Sequence, residues 1–176
     1  FSAIGCDDIE AENISRLLVR ANLTGHDSHG VIRIPQYIDS WRQGDVVPNQ
    51  TATVVFENDT ISLYEGNKGF GQTIGNQVIG EGIKKAATSG LAMVGVGNVG
   101  HLGRIGDWAE KAAMAGQVSL HFVNTSGAGM MVAPFGGINA RYSTNPISIG
   151  MPVNNGSPII FDAATSALAE GKVRVA

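Results

Sequence analysis

Twenty-four of the 176 residues are glycine, about twice the usual ~7%, and they are scattered through apolar segments without a repeat period. That pattern is neither a collagen repeat nor a flexible linker. It dictates many tight turns and close backbone approaches. Two readings fit it equally: a loop-rich α/β fold, or main chain shaped to lie against a bound molecule. Hydrophobic residues make up 43% of the chain and charged residues 15%, so a real core is expected and disorder is not.

The net charge of −3 argues against a nucleic-acid surface, which needs a basic face. A single cysteine, Cys6, rules out an internal disulfide and a cysteine metal cage, and fits a reducing, cytoplasmic setting. No apolar run approaches a bilayer span, so no membrane partner is expected, and no cationic leader stands before an apolar segment. Phe1 leads abruptly into a helical pattern, and the last residues open another, so the chain reads as trimmed at both ends.

Periodicity predicts an amphipathic helix over 6–23, with Cys6, Ile9, Ile14, Leu17, Leu18 and Ala21 near one face and Gly25 beyond its end. A second helix is predicted over 33–43, with Pro35 in its first turn. Strands over 51–56 and 60–65 pair around Asn58-Asp59. A packed helix over 71–87, a short buried strand over 91–96, a helix over 104–115 and a strand over 118–124 follow. Residues 127–141 read as loop, 147–152 and 158–162 as strands around Asn154-Asn155-Gly156, and a last helix opens near Thr165 or Ser166. The fold class is therefore α/β with an α+β character: an N-terminal helical region over 1–48, then a mixed α/β body over 49–176 that is incomplete at its C-terminus.

The densest chemistry lies at His26-Asp27-Ser28-His29-Gly30, followed by Arg33 and Tyr37, at the exit of the first helix. His29 has an imidazole able to exchange a proton near neutral pH, and Ser28 a hydroxyl able to donate to a carboxylate oxygen. Arg33 can hold a carboxylate with two parallel hydrogen bonds, and Tyr37, four residues on, lies on the same helical face. The plain alternatives are helix-end residues and a surface ion pair. A metal on His26 and His29 lacks an evident third ligand, so no metal is assigned, and a metal-dependent hydrolase is the weaker reading. His101, between Gly100 and Gly103 at a strand-to-helix junction, reads equally as a proton-transfer residue or a helix cap.

Gly95-Val96-Gly97-Asn98-Val99-Gly100 follows a strand and precedes a helix, the context of a dinucleotide loop. The next strand ends in Asn124 rather than an acid that would hold a ribose, which counts against a Rossmann dehydrogenase. Asn124-Thr125-Ser126-Gly127 and Thr144-Asn145-Pro146 place short polar side chains beyond strands, where they bind ribose or phosphate hydroxyls or only shape turns. Asp162 and Thr165, at a strand end, cap a helix or mark an anion site.

Gly25-His26-Asp27-Ser28-His29-Gly30, Arg33, Pro35-Gln36-Tyr37, His101-Leu102-Gly103-Arg104, Asn124-Thr125, Ala133-Pro134-Phe135-Gly136-Gly137, Thr144-Asn145-Pro146 and Asp162-Ala163-Ala164-Thr165-Ser166 occur in an order that resembles the malate/L-lactate dehydrogenase family without a Rossmann fold. That family includes ureidoglycolate, sulfolactate, diketogulonate and piperideine-carboxylate oxidoreductases. The resemblance implies a largely antiparallel, mixed-sheet cofactor domain flanked by helices, hydride transfer between NAD or NADP and a small 2-hydroxy or 2-oxo acid, and a homodimer. It implies His29 and His101 as alternative proton donors or acceptors, and Ser28, Arg33 and Tyr37 on the substrate side. It places Ser126 and the segment around Phe161, Asp162 and Ala163 by the dinucleotide, beside which Asn124, Thr144 and Asn145 are the further candidate contacts, and makes 95–100 a structural turn. Members of the family run to about twice this length, so a non-catalytic fragment of a longer dimeric enzyme is a further alternative.

Overall fold

The computed structural model describes residues 1–125 and 130–167. The chain divides into two compact units, Phe1–Arg104 and Ile105–Ala176. Both mix helices with small sheets.

The first unit opens with α1 (Asp8–Leu23), whose first turn is capped when Asp7 accepts the Glu10 amide N–H at 2.7 Å. Ala11, Ile14, Leu17, Leu18 and Ala21 form its buried stripe, at the spacing the sequence predicts. Ile9 departs from that prediction. It is 81% exposed, and the neighbouring Glu10 is buried instead. The reason is a polar clamp: Glu10 accepts from the Asn49 amide at 2.7 Å and from the Thr73 hydroxyl at 2.8 Å. One carboxylate thus ties α1 to the loop before the first strand and to the helix behind it. Burial beside Glu10 pushes the Cys6 thiol up to about 12.

After α1 the chain makes two short 3-10 turns, Asp27–His29 and Val31–Arg33, and enters α2 (Ile34–Arg42). β1 (Thr53–Glu57) and β2 (Ile61–Glu65) form an antiparallel pair, turned where Asn58 accepts the Thr60 and Ile61 amides. α3 (Gly71–Ser89) carries the chain to β3 (Met93–Gly97), which lies parallel to β2. The sequence predicts β3 as buried, yet Met93 is exposed and no residue of the strand is fully covered. β3 is an edge strand with one face on α3. Cys6, Ile14, Leu18, Tyr37, Val46 and Phe70 make the main core, and Ala52, Tyr64, Ile74 and Val78 a second cluster.

The second unit has α4 (Gly106–Met114) packed on a sheet of β4 (Ser119–Phe122), β5 (Ile147–Met151) and β6 (Ile159–Ala163). Both of its strand pairings are antiparallel. The register aligns Leu120, Ile149 and Phe161 on one face, and Leu120, Phe122 and Phe161 are exposed there. Residues 127–129 of the predicted loop, and all but the first residues of the predicted last helix, lie outside the described residues.

Candidate active site

The cluster at the exit of α1 is shaped by Asn22 and Gly30. Asn22 Oδ1 accepts the Val31 amide at 2.9 Å, and its Nδ2 donates to Asp27 Oδ1 at 2.6 Å. A Cβ at residue 30 would overlap the Asn22 side-chain amide, so only glycine lets that side chain seat against the turn. Exposed Asp27 is thereby held to the turn by half-buried Asn22.

The same turn buries Ser28 and Arg33. Arg33 Nε donates to the Ser28 carbonyl at 2.6 Å, and Nη1 to Gln36 Oε1 at 2.6 Å. The guanidinium is therefore fixed in orientation before any ligand arrives. Ser28 Oγ lies 3.0 Å from His29 Nδ1.

His101 comes from far along the chain, carried by a close backbone approach. A Cβ on Gly71 would collide with the His101 carbonyl, so the glycine that opens α3 lets 100–101 lie against it. Gly100 N–H is bound to the Gly69 carbonyl at 2.9 Å, and Gly66 N–H to the Gly97 carbonyl at 2.8 Å. The glycine pattern at 95–100 is thus laced to the 66–69 loop.

The result brings three of the predicted groups together. The His29 and His101 rings stack with centroids 5.4 Å apart and 24° between planes. Arg33 acts on both: after burial, its charge is the next cause lowering each imidazole, His29 to about 4 and His101 to about 3. His26 and Arg104 also depress His29. Both rings are neutral at neutral pH, in a positive field. Tyr37 Oη lies 2.8 Å from His101 Nδ1. It therefore meets the imidazole, where the sequence reading has it beside a carboxylate. Burial raises the Tyr37 phenol to about 12, so it stays protonated.

His26 meets His29 edge to face at 5.6 Å. Among the described residues no three His, Cys, Asp or Glu side chains cluster as a metal site needs.

The predicted cofactor-side residues lie in the second unit. Thr165 N–H and Oγ1 both bind the Thr144 carbonyl, at 3.0 and 3.1 Å, and Oγ1 also reaches the Asn145 carbonyl at 3.1 Å. Thr144, Asn145 and the end of β6 are thereby joined. Asn145 Oδ1 is buried with no hydrogen-bond partner among the described residues, an acceptor suited to a ribose hydroxyl or a carboxamide N–H. That acceptor is compatible with a bound group that presents hydroxyl or amide donors. Asp162 Oδ2 accepts the Gly106 amide at 2.8 Å and so caps α4, in front of it in the chain. Asn124 and Phe161 are exposed and Ala163 is half-buried, while Ser126 lies outside the described residues.

Sequence reasoning missed Gln72. It is fully buried in the first turn of α3, and its Nε2 donates to Tyr37 Oη at 2.8 Å. Its only signal is a polar residue beside the buried positions of an apolar helix, which a surface glutamine also gives.

Comparison with known proteins identifies the family. The family described as malate/L-lactate dehydrogenase matches residues 1–176. Hydroxycarboxylate dehydrogenase B of Escherichia coli is 44% identical over 176 residues, covering 100% of this chain and 48% of the relative. The L-lactate dehydrogenase of Cupriavidus necator is 37% identical over 166 residues, covering 94% and 48%. The structure of malate dehydrogenase from Pyrococcus horikoshii superimposes with a TM-score of 0.92 at 33% identity, covering 98% of this chain and 49% of that one. The chain spans about half the length of the curated relatives it matches.

Proposed function

This chain belongs to the malate/L-lactate dehydrogenase family, and on that premise we propose that the full-length protein is an NAD- or NADP-dependent oxidoreductase acting on a small 2-hydroxy or 2-oxo acid. The observation that carries the reading is the buried, pre-oriented Arg33 beside two neutral, stacked imidazoles. A fixed guanidinium attracts and aligns a carboxylate, and a neutral ring exchanges a proton with the oxygen next to it. Relatives named hydroxycarboxylate, L-lactate, malate and sulfolactate dehydrogenases act on this class of acid.

Arg33 holds the substrate carboxylate, assisted by the Ser28 hydroxyl. His29 or His101 exchanges the proton of the substrate oxygen. Tyr37 supports His101 through its hydroxyl. Residues 1–48 form the substrate side, and His101 joins them from the cofactor-binding portion, 49–176. The nicotinamide, when bound, supplies or accepts the hydride. Asn124, Ser126, Thr144, Asn145, Phe161, Asp162 and Ala163 are the residues that would hold it. The cofactor portion is of the non-Rossmann, largely antiparallel kind. In support, three of the four strand pairings in the described sheets are antiparallel, and the Gly100 amide is occupied by Gly69 rather than open to a phosphate. We further propose a cytoplasmic homodimer. The lone buried thiol supports the compartment, and no helix among the described residues is long and apolar enough to cross a membrane.

The test is a spectrophotometric screen of the full-length protein with pyruvate, oxaloacetate and related 2-oxo acids, with each reduced nicotinamide in turn. Consumption of one reduced cofactor with at least one acid is expected, and the ratio of the two rates assigns NAD or NADP. No consumption with any pairing overturns the proposal.

A further inference from the structure

We infer that Gln72 is a positioning residue: acting through Tyr37, it makes His101 Nδ1 a hydrogen-bond acceptor and holds the proton of the neutral ring on Nε2. Its place in the reaction rests on the function proposed above, but the tautomer itself does not.

One donor at His101 cannot be reversed. The Gly103 backbone N–H points at His101 Nδ1 from 3.3 Å, and a backbone N–H only donates. At 3.3 Å that bond is long, so it favours Nδ1 as an acceptor without by itself holding it there. Tyr37 Oη, 2.8 Å from the same nitrogen, then donates its own proton to it. That leaves the phenol oxygen to accept from its other neighbour, 2.8 Å away, which is the Gln72 amide. Gln72 therefore presents its NH2 group to Tyr37 and turns Oε1 away, and Oε1 has no hydrogen-bond partner among the described residues. The opposite amide orientation would force Tyr37 to donate to Gln72 and Nδ1 to carry a proton facing the Gly103 N–H. The chain of polarity thus runs one way, from Gln72 to Tyr37 to His101.

Two further observations agree. Tyr37 is held protonated by burial, so it always has a proton to give. Burial and Arg33 keep the ring neutral, so one tautomer has to be chosen. The Gln72 backbone is itself anchored, since its main-chain carbonyl accepts Asn13 Nδ2 at 3.0 Å. With its proton on Nε2, the resting ring offers a hydrogen-bond donor, which suits the carbonyl oxygen of a 2-oxo acid. As a neutral donor the ring would stabilise negative charge building on that oxygen by hydrogen bonding while keeping its own Nε2 proton.

The test is 15N NMR of the full-length protein with labelled histidine, the His101 ring resonances being assigned by their loss in His101→Asn. In the wild type at neutral pH, a protonated, pyrrole-type Nε2 and an unprotonated, pyridine-type Nδ1 are expected. A protonated Nδ1 overturns the inference. Gln72→Glu is read only at a pH where the residue 72 carboxyl is seen to be ionised, since burial raises a glutamate above its ordinary ~4.3; ionised, it has only acceptors to offer. Tyr37 then turns its hydroxyl to residue 72, and the His101 proton moves to Nδ1. Gln72→Met removes the donor without adding charge; Tyr37 is free to rotate, and the two nitrogen shifts move toward each other. Ring shifts like wild type in either folded variant overturn the role of Gln72. In Gln72→Met the turnover of 2-oxo acid reduction should fall about tenfold with little change in KM, the scale of one lost hydrogen bond away from the substrate carboxylate. If no 2-oxo acid is reduced by the wild type while the tautomer behaves as stated, the proposed function fails and this inference stands.

Discussion

At Arg33, charge and shape separate cleanly. Its Nε and Nη1 bonds hold a planar fork that a lysine cannot reproduce. Arg33→Lys should therefore raise the KM for the acid about 10- to 100-fold, with a smaller loss of kcat, in steady-state assays of the full-length protein. An unchanged KM would remove the carboxylate clamp. The two imidazoles make a second prediction. Folded, they stay neutral down to about 4 for His29 and about 3 for His101, whereas unfolded histidine protonates near ~6.5. Between those values the unfolded chain binds more protons, so stability is complete above ~6.5 and falls as the pH drops through that window. Each ring contributes a slope of at most about 1.4 kcal/mol per pH unit. Denaturant melts of wild type and of a His29→Asn, His101→Asn double variant should converge as the pH falls from 7 to 4; parallel curves would contradict the burial. His29 and His101 were legible because each is a rare imidazole beside a glycine, and Arg33 because it follows the His26–Gly30 cluster closely. Gln72 and Asn22 were not: each acts through another side chain, and only proximity in space reveals which one.

Among elements, hydrophobic spacing located α1, α3 and every strand of the described residues to within a few positions, because each rests on a face it must bury. It did not say which face mattered. Ile9 lies outward while Glu10 is buried, because two hydrogen bonds to Glu10 outweigh the transfer of one isoleucine into a core already filled by Ile14 and Leu18. The start of α3 shows the same limit: a glycine before a helix reads as punctuation, yet Gly71 exists to admit the His101 carbonyl. Gly71→Ala should thus cost about 1–3 kcal/mol in denaturant melts and depress turnover together, because relief of the overlap moves His101. Gly90→Ala, at a helix end with open space around it but a φ of +77°, should lower stability without touching turnover. Equal losses of turnover in the two would detach Gly71 from the site.

For the molecule as a whole, the second unit has its sheet turned with the polar side inward. Ser119 and His121 lie on the half-buried side of β4, while Leu120 is 60% and Phe122 73% exposed. A ladder that runs from Leu120 through Ile149 to Phe161 is greasy and wet in the chain taken by itself. These residues should bind a dye such as anilinonaphthalene sulfonate, and the isolated 176-residue chain should elute larger as its concentration rises. Leu120→Lys with Phe122→Glu should abolish both signs, and persistence of either would show that the stickiness lies elsewhere. The sheet therefore rests on α4 with one side and leaves the other oily: each Å² there that a covering layer would dry is worth about 25 cal/mol to whatever closes over it.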